Sequence, residues 1–174
     1  GARLGSALCA PGNDVDLPEL CRLADAFYIG GTKNGALLGE ALVIVKEELK
    51  KDFRYQMKQK GALLAKGQVM GVQFQELFRD GLYFELARRA NALAARLRQA
   101  IAEAGYSLLA PTVTNQVFPV LPNQLIAKLE EEFSFYVWEA VDESHSAIRL
   151  VTSWATEEAA VEAFAIALKG NAGR

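Results

Sequence analysis

A single lysine, Lys33, lies in a glycine-rich stretch, Gly-Gly-Thr-Lys-Asn-Gly-Ala at 30–36. Continuous apolar runs at 26–29 and 41–45 flank this stretch, and both indicate buried strands. Most lysines keep their ammonium in water because burying the charge is costly. Two interpretations of Lys33 therefore stand. It is either an exposed turn lysine or an imine-forming lysine, which reacts as the neutral amine and is favoured by partial burial. The flanking glycines would let the backbone approach a flat ligand closely.

Arg149 lies in a predicted strand at 147–154. Successive side chains of a strand point to opposite faces of the sheet. Ile148, Leu150 and Trp154 are predicted to share one face, so that Arg149 points the other way. A solvent-facing arginine is one interpretation of this pattern. The other is a binding group for a carboxylate, because a guanidinium can donate two parallel hydrogen bonds to that group. Alternation alone does not decide between them.

Two other residues bear on chemistry less directly. Arg3 follows Gly-Ala and would lie at the mouth of a strand-to-helix turn if a strand precedes it. His145, the only histidine, lies in a polar turn before a strand. We interpret it as structural, because the sequence offers no second histidine to act with it and no evident group to orient its ring.

The sequence also lacks the motifs of several kinds of site. It has no HExxH or Cys/His spacing, so we expect no protein metal site. It has no P-loop, GxSxG or GxGxxG either.

The composition argues against several classes of protein. Apolar residues make up 51% and charged residues 23%, which is typical of a folded domain. The net charge is −2 and no basic block occurs, which argues against a nucleic-acid partner. No apolar run approaches the roughly 20 residues that a membrane span needs. Cys9 and Cys21 lack CxxC spacing, and we interpret them as reduced thiols of a cytoplasmic protein.

The elements that must position these residues follow from periodicity. The clearest is a long helix of roughly 22 residues, whose apolar positions form one stripe: Leu86, Ala90, Leu93, Leu97 and Ile101. The pattern predicts an α/β chain in three regions. Residues 1–50 are the end of a parallel-type α/β domain, 51–80 a helical connection and 81–174 a smaller α+β domain.

Three motifs also occur in a familiar order: Gly-Ala-Arg-Leu at 1–4, Gly-Gly-Thr-Lys-Asn-Gly-Ala at 30–36, and Ile-Arg-Leu-Val-Thr-Ser-Trp at 148–154. With them the chain resembles, over essentially its whole length, the C-terminal half of the low-specificity L-threonine aldolases. These belong to the β-eliminating lyase group of fold-type-I enzymes, which use pyridoxal 5'-phosphate (PLP). The resemblance implies the end of the large PLP-binding domain followed by a small C-terminal domain.

The resemblance also implies roles for individual residues. Lys33 would form the Schiff base with PLP, Arg3 would contact the ring region of the cofactor, and Arg149 would bind the substrate α-carboxylate. The implied reaction is cleavage of a β-hydroxy-α-amino acid, L-threonine or L-allo-threonine, to glycine and acetaldehyde. A homodimer or homotetramer is implied for the intact protein.

The chain departs from the family pattern at its start. The aspartate that precedes Gly-Ala-Arg in the family, and the upstream half with the phosphate site, are not in these 174 residues. We therefore expect a fragment that by itself has little or no aldolase activity. Two alternatives stay open: β-elimination or transamination on the same scaffold, and a non-catalytic binding or assembly module in which Lys33 is a turn lysine.

Overall fold

The computed structural model describes residues 1–171 of the chain. These residues form two compact units, one from Gly1 to Leu86 and one from Ala87 onward, and each is described by itself. The unit boundary falls within the longest helix. The domain limits at 50 and 80 that the sequence suggests stay a prediction.

The first unit is mostly helical around one β-hairpin. Its elements are α1 (Leu4–Leu8), α2 (Leu17–Leu23), β1 (Ala26–Gly30), β2 (Glu40–Ile44), α3 (Phe53–Gln59) and α4 (Gln68–Phe78), with 3-10 turns at Glu47–Lys50 and Arg79–Gly81. Helix α2 begins as its sequence predicts: the Asp16 carboxylate accepts a hydrogen bond from the Glu19 backbone N–H at 2.7 Å, and a proline occupies the first turn.

Strands β1 and β2 pair antiparallel, with Ala26 opposite Ile44 and Gly30 opposite Glu40. The sequence predicts that residues 1–50 end a parallel-type domain, and the one strand pair that they form within this chain is antiparallel. A parallel pair needs a crossover of roughly a dozen residues or more, and the loop between the two strands is too short for one. The apolar run at 26–29 indicates a buried strand, but within this chain only one face of β1 is covered, because Tyr28 is 44% exposed.

The core of the first unit lies on the other face of the hairpin. It is centred on four buried residues, Ile29, Ala36, Leu77 and Tyr83, against which Phe27, Val43, Phe74 and other apolar side chains pack. The core therefore joins the hairpin, the loop at 31–39 that carries Lys33, α4, and the start of the helix that begins at Leu82. A site on this loop rests on a packed support and not on a free-standing turn.

The second unit is an antiparallel sheet covered by helices. It contains the rest of α5 (Leu82–Glu103), then β3 (Gln116–Val117), β4 (Val120–Pro122), α6 (Asn123–Leu129), β5 (Tyr136–Ala140), β6 (His145–Val151) and α7 (Glu158–Asn171). Strand β6 is central, since it pairs antiparallel with β3, β4 and β5.

Helix α5 confirms the apolar stripe that its sequence predicts. It is 22 residues long, and Leu93, Leu97 and Ile101 on its stripe are at most 6% exposed. They pack with buried residues of the sheet and of α6 and α7 in one core.

Among the residues described, none of the helices combines the length and the apolarity that a membrane crossing requires.

Candidate active site

The Lys33 loop, residues 31–39 between β1 and β2, is held by hydrogen bonds along its length. The Asn34 side-chain amide donates to the Tyr83 backbone carbonyl at 2.6 Å. Further along, the Gln73 side-chain carbonyl accepts from the Leu37 N–H at 2.7 Å and from the Leu38 N–H at 3.3 Å. The part of the loop that follows Lys33 is therefore fixed to α4 and to the start of α5.

Tyr83 joins this loop to α1. It is fully buried, and its hydroxyl accepts from the Gly5 N–H at 3.2 Å and donates to the Gly30 carbonyl at 3.1 Å. Burial raises the pKa of the Tyr83 phenol, and the hydrogen bond from Gly5 opposes this shift. The phenol thus remains protonated at neutral pH and keeps the proton that it donates to Gly30.

The glycines of the loop are explained by packing within the unit. A Cβ on Gly30 would lie 2.5 Å from the Ala2 Cα, and one on Gly31 would lie 2.8 Å from the Gly39 carbonyl oxygen. Gly35 has a positive φ of +104°, which favours glycine. The sequence interpretation, that these glycines let the backbone approach a flat ligand, is therefore not needed to explain them.

Lys33 itself is exposed. Within residues 1–171 its ammonium has no hydrogen-bond or ion-pair partner. The partial burial that favours an imine-forming lysine is thus not supplied by this chain, because its side chain points away from the core that holds the loop. What the structure does supply is a primary amine on a fixed backbone with no competing carboxylate.

Arg3 lies close to the base of this loop. It is the residue that precedes α1, and it is half-buried. The turn before α1 lies against the end of β1, where the Gly30 N–H donates to the Gly1 carbonyl at 3.1 Å. Since Gly30 also borders the Lys33 loop, the structure brings the Arg3 turn and the Lys33 loop together at one end of β1.

Removing the Tyr83 hydroxyl tests this arrangement. We expect Tyr83→Phe to lower the free energy of unfolding by about 1–3 kcal/mol, because the buried Gly5 N–H and Gly30 carbonyl both lose their partner. The ring, stacked on Phe78 at 5.1 Å between centroids, is kept. Urea denaturation of the parent and of Tyr83→Phe measures the difference.

The matched control is Tyr55→Phe, at a tyrosine that is 73% exposed. There the free energy of unfolding should change by no more than about 0.5 kcal/mol. Equal losses in the two variants would contradict the role of the hydroxyl.

Arg149 lies in the second unit, on β6. Its neighbours Ile148 and Leu150 are buried in the core, so Arg149 points to the opposite face, as the alternation predicts. The Nε–H of Arg149 is buried and has no hydrogen-bond acceptor among the described residues. Since a buried donor without an acceptor is unfavourable, this guanidinium is suited to an anion from outside the chain.

Trp154 does not share the buried face, which corrects the sequence prediction. Strand β6 ends at Val151, and Trp154 is 42% exposed. The chain turns directly after the strand, where the Ser153 N–H donates to the Thr156 hydroxyl at 2.8 Å. Alternation beyond the end of a strand carries no information on burial.

His145 has an orienting partner, Asp142, contrary to the interpretation from the sequence. Its Nδ1 lies 3.1 Å from each carboxylate oxygen of Asp142. The Ser144 backbone N–H, the Ser144 hydroxyl and His145 together lower the pKa of Asp142 to about 2. Asp142 and Ser144 lie in the turn between β5 and β6, and His145 is the first residue of β6, so these contacts stabilise that turn. Within the described residues, no group of three or more His, Cys, Asp and Glu side chains is arranged to hold a metal ion.

The residues that sequence reasoning missed are the supports of the loop. Asn34, Gln73 and Tyr83 hold the loop and its border at Gly30 through hydrogen bonds that span between 35 and 53 positions. Asn34 is the only one of the three with a local signal in the sequence, since it directly follows Lys33. Its burial is visible only in the structure. No periodicity links Gln73 or Tyr83 to the loop.

Comparison with known proteins relates this chain to one family. It is 32% identical over 143 residues to a low specificity L-threonine aldolase of a Pseudomonas species, covering 81% of this chain and 40% of that protein. It is 31% identical over 135 residues to the protein of the same description in Pseudomonas aeruginosa, covering 76% and 38%. No profile of a known protein family matches the chain.

The fold agrees with this relationship. The structure of Leishmania major threonine aldolase superposes with a TM-score of 0.96 at 44% identity, covering 99% of this chain and 51% of that one. The mixed α/β fold expected from the resemblance is thereby confirmed, as part of a fold-type-I enzyme. The chain spans about two fifths of the length of the curated relatives and about half of the solved structure. Over the length that it spans, the chain belongs to the threonine aldolase family.

Proposed function

We propose that this chain is part of a PLP-dependent lyase that cleaves L-threonine or L-allo-threonine to glycine and acetaldehyde. The observation that carries the proposal is the Lys33 loop. Its amine is exposed and free of any partner among the described residues, while its backbone is fixed by Asn34 and Gln73. This loop belongs to a chain with the fold of a threonine aldolase.

The residues present fit the cofactor. Lys33 would hold PLP through its ε-amine, because an amine with no counter-ion is available to react with an aldehyde. Arg3, which precedes α1 near the same end of β1, would contact the ring region. When bound, PLP supplies a ring that withdraws electrons from the substrate α-carbon.

Arg149 would bind the α-carboxylate of the amino acid. A guanidinium can hold this group with two parallel N–H···O hydrogen bonds, and the buried Nε–H of Arg149 has no acceptor in the described part of the chain. Holding the carboxylate restricts rotation of the substrate and so orients the bond between its α- and β-carbons. The products account for every atom of threonine, since the proton of the β-hydroxyl is balanced by the one gained at the α-carbon.

The test uses the complete protein loaded with PLP. Acetaldehyde formed from L-threonine and L-allo-threonine is measured by coupled reduction with NADH, and glycine is quantified in parallel. Pyruvate or another 2-oxo acid from serine or an aromatic amino acid, without acetaldehyde from threonine, would show β-elimination or transamination instead. Borohydride reduction followed by peptide mapping locates the cofactor. Absence of label at Lys33 would support a non-catalytic module.

A further inference from the structure

We infer that Tyr136 and Trp138, which we call the aromatic clamp, position the Arg149 guanidinium for the carboxylate. The inference rests on the proposed function, because it takes Arg149 as the carboxylate-binding group. It assigns a role to two side chains of β5 that the reaction itself does not use. Neither residue is required to touch the substrate.

Both rings of the aromatic clamp lie against the guanidinium. The Cζ of Arg149 is 5.1 Å from the centroid of the Tyr136 ring and 5.4 Å from that of the Trp138 ring. Both distances are within the roughly 6 Å over which a cation is attracted to an aromatic face. The guanidinium is therefore in cation–π contact with two rings of the neighbouring strand.

The strand register explains why both rings reach the same arginine. Tyr136 on β5 pairs with Arg149 on β6, and the register then shifts between Val137 and Glu139. Trp138 is the extra residue of this β-bulge, and bulges commonly redirect a side chain. The Trp138 ring also packs against a third ring, since Phe118 meets it edge-on at 5.3 Å between centroids.

The contacts with the aromatic clamp leave the N–H donors of Arg149 without hydrogen-bond acceptors in the described part of the chain. Elsewhere in this unit arginines meet acceptors: Arg96 bonds the Glu158 carboxylate at 2.8 Å, and Arg98 donates to the Thr114 carbonyl at 3.1 Å. Arg149 has no such partner in the described part of the chain. Aromatic faces attract the positive charge but accept no N–H bond in the plane of the guanidinium, so its donors remain available for a planar carboxylate.

The exposure of the rings argues against a purely structural role. Tyr136 is 70% exposed and Trp138 is 51% exposed, so neither belongs to the buried core of the unit. All five residues of β5 are exposed in this chain. A pair of large rings on an exposed strand, both in contact with one half-buried arginine, is better explained by the arginine than by core packing.

The experiment compares leucine and phenylalanine variants in the complete protein. In Tyr136→Leu and Trp138→Leu we expect KM for L-threonine to rise about threefold each, and roughly tenfold in the double variant, with most of the change in KM. Tyr136→Phe and Trp138→Phe keep an aromatic face, so KM should stay within about twofold of the parent. Tyr55→Leu, at an exposed tyrosine of the first unit, is the matched control.

A binding measurement separates positioning from folding. Calorimetry with glycine and with glycinamide, which lacks the carboxylate, should show weaker binding of glycine to the leucine variants and no change for glycinamide. Weaker binding of both probes in equal measure would overturn the clamp, because a general distortion does not select for the carboxylate.

The Arg149→Lys variant shows whether a negative result contradicts only the aromatic clamp or also the carboxylate-binding role of Arg149. If this variant weakens glycine binding while the leucine variants do not, the clamp is wrong and the carboxylate role of Arg149 stands. If Arg149→Lys leaves glycine binding unchanged, the carboxylate role of Arg149 is wrong, and the clamp fails with it.

Discussion

Replacing Lys33 by alanine is expected to lower kcat for threonine cleavage in the complete protein by roughly 10³-fold or more. The variant loses the amine that would hold PLP, and groups that form covalent bonds or transfer protons contribute on this scale. Borohydride reduction should also leave no cofactor on the peptide that contains position 33. Coupled detection of acetaldehyde and peptide mapping measure the two effects independently.

The same substitution should leave stability almost unchanged. Lys33 is exposed and has no partner among the described residues, so the free energy of unfolding should change by less than about 0.5 kcal/mol. Lys58→Ala, at an exposed lysine of α3, is the matched control and should retain both activity and label. A Lys33→Ala variant that keeps a tenth or more of the parental kcat would refute the catalytic role.

A second large effect is expected at Gly30, where the first unit has no room for a side chain. The Cβ of Gly30→Ala would lie 2.5 Å from the Ala2 Cα and 2.6 Å from the Ala2 carbonyl oxygen. These are backbone atoms, so the clash cannot be relieved by a rotamer change. We expect a loss of about 1–3 kcal/mol in the free energy of unfolding, as for other overpacked sites, together with displacement of the turn that carries Arg3.

Gly71→Ala is the matched control for this loss. Gly71 lies in α4, and a Cβ there would meet nothing within 4 Å. Because alanine is preferred to glycine in a helix, this variant should be more stable than the parent by about 1 kcal/mol. Urea denaturation of the two variants beside the parent checks both signs. Stabilisation by Gly30→Ala would show that the Ala2 turn is free to move, contrary to the structure.

Much of the secondary structure around the site follows from the sequence. The apolar runs beside the Lys33 loop form β1 and β2, and the stripe through Leu93 and Leu97 lies on the buried side of α5. These predictions succeed because a run or a stripe records which side of an element meets the core. The antiparallel pairing of β1 with β2 comes from the structure alone, because the apolar runs were used only to locate the two strands.

The chemistry of the two candidate residues was predictable only in kind. The sequence places Lys33 in a loop and points Arg149 away from the core, and the structure shows both. The sequence does not reveal that Lys33 is exposed within this chain, or that two aromatic rings contact Arg149. Trp154 shows the same limit, since its exposure depends on where β6 ends.

By itself, the sequence determined the family, the order of the elements and the residues that could react. The reason is that motifs and periodicity are local, so residues close in the chain are enough to specify them. Only the tertiary structure decided what supports those residues: Asn34 reaches the Tyr83 carbonyl across 49 positions, and the Tyr83 hydroxyl reaches Gly30 across 53. Such contacts are fixed by how the elements pack, which no local pattern encodes.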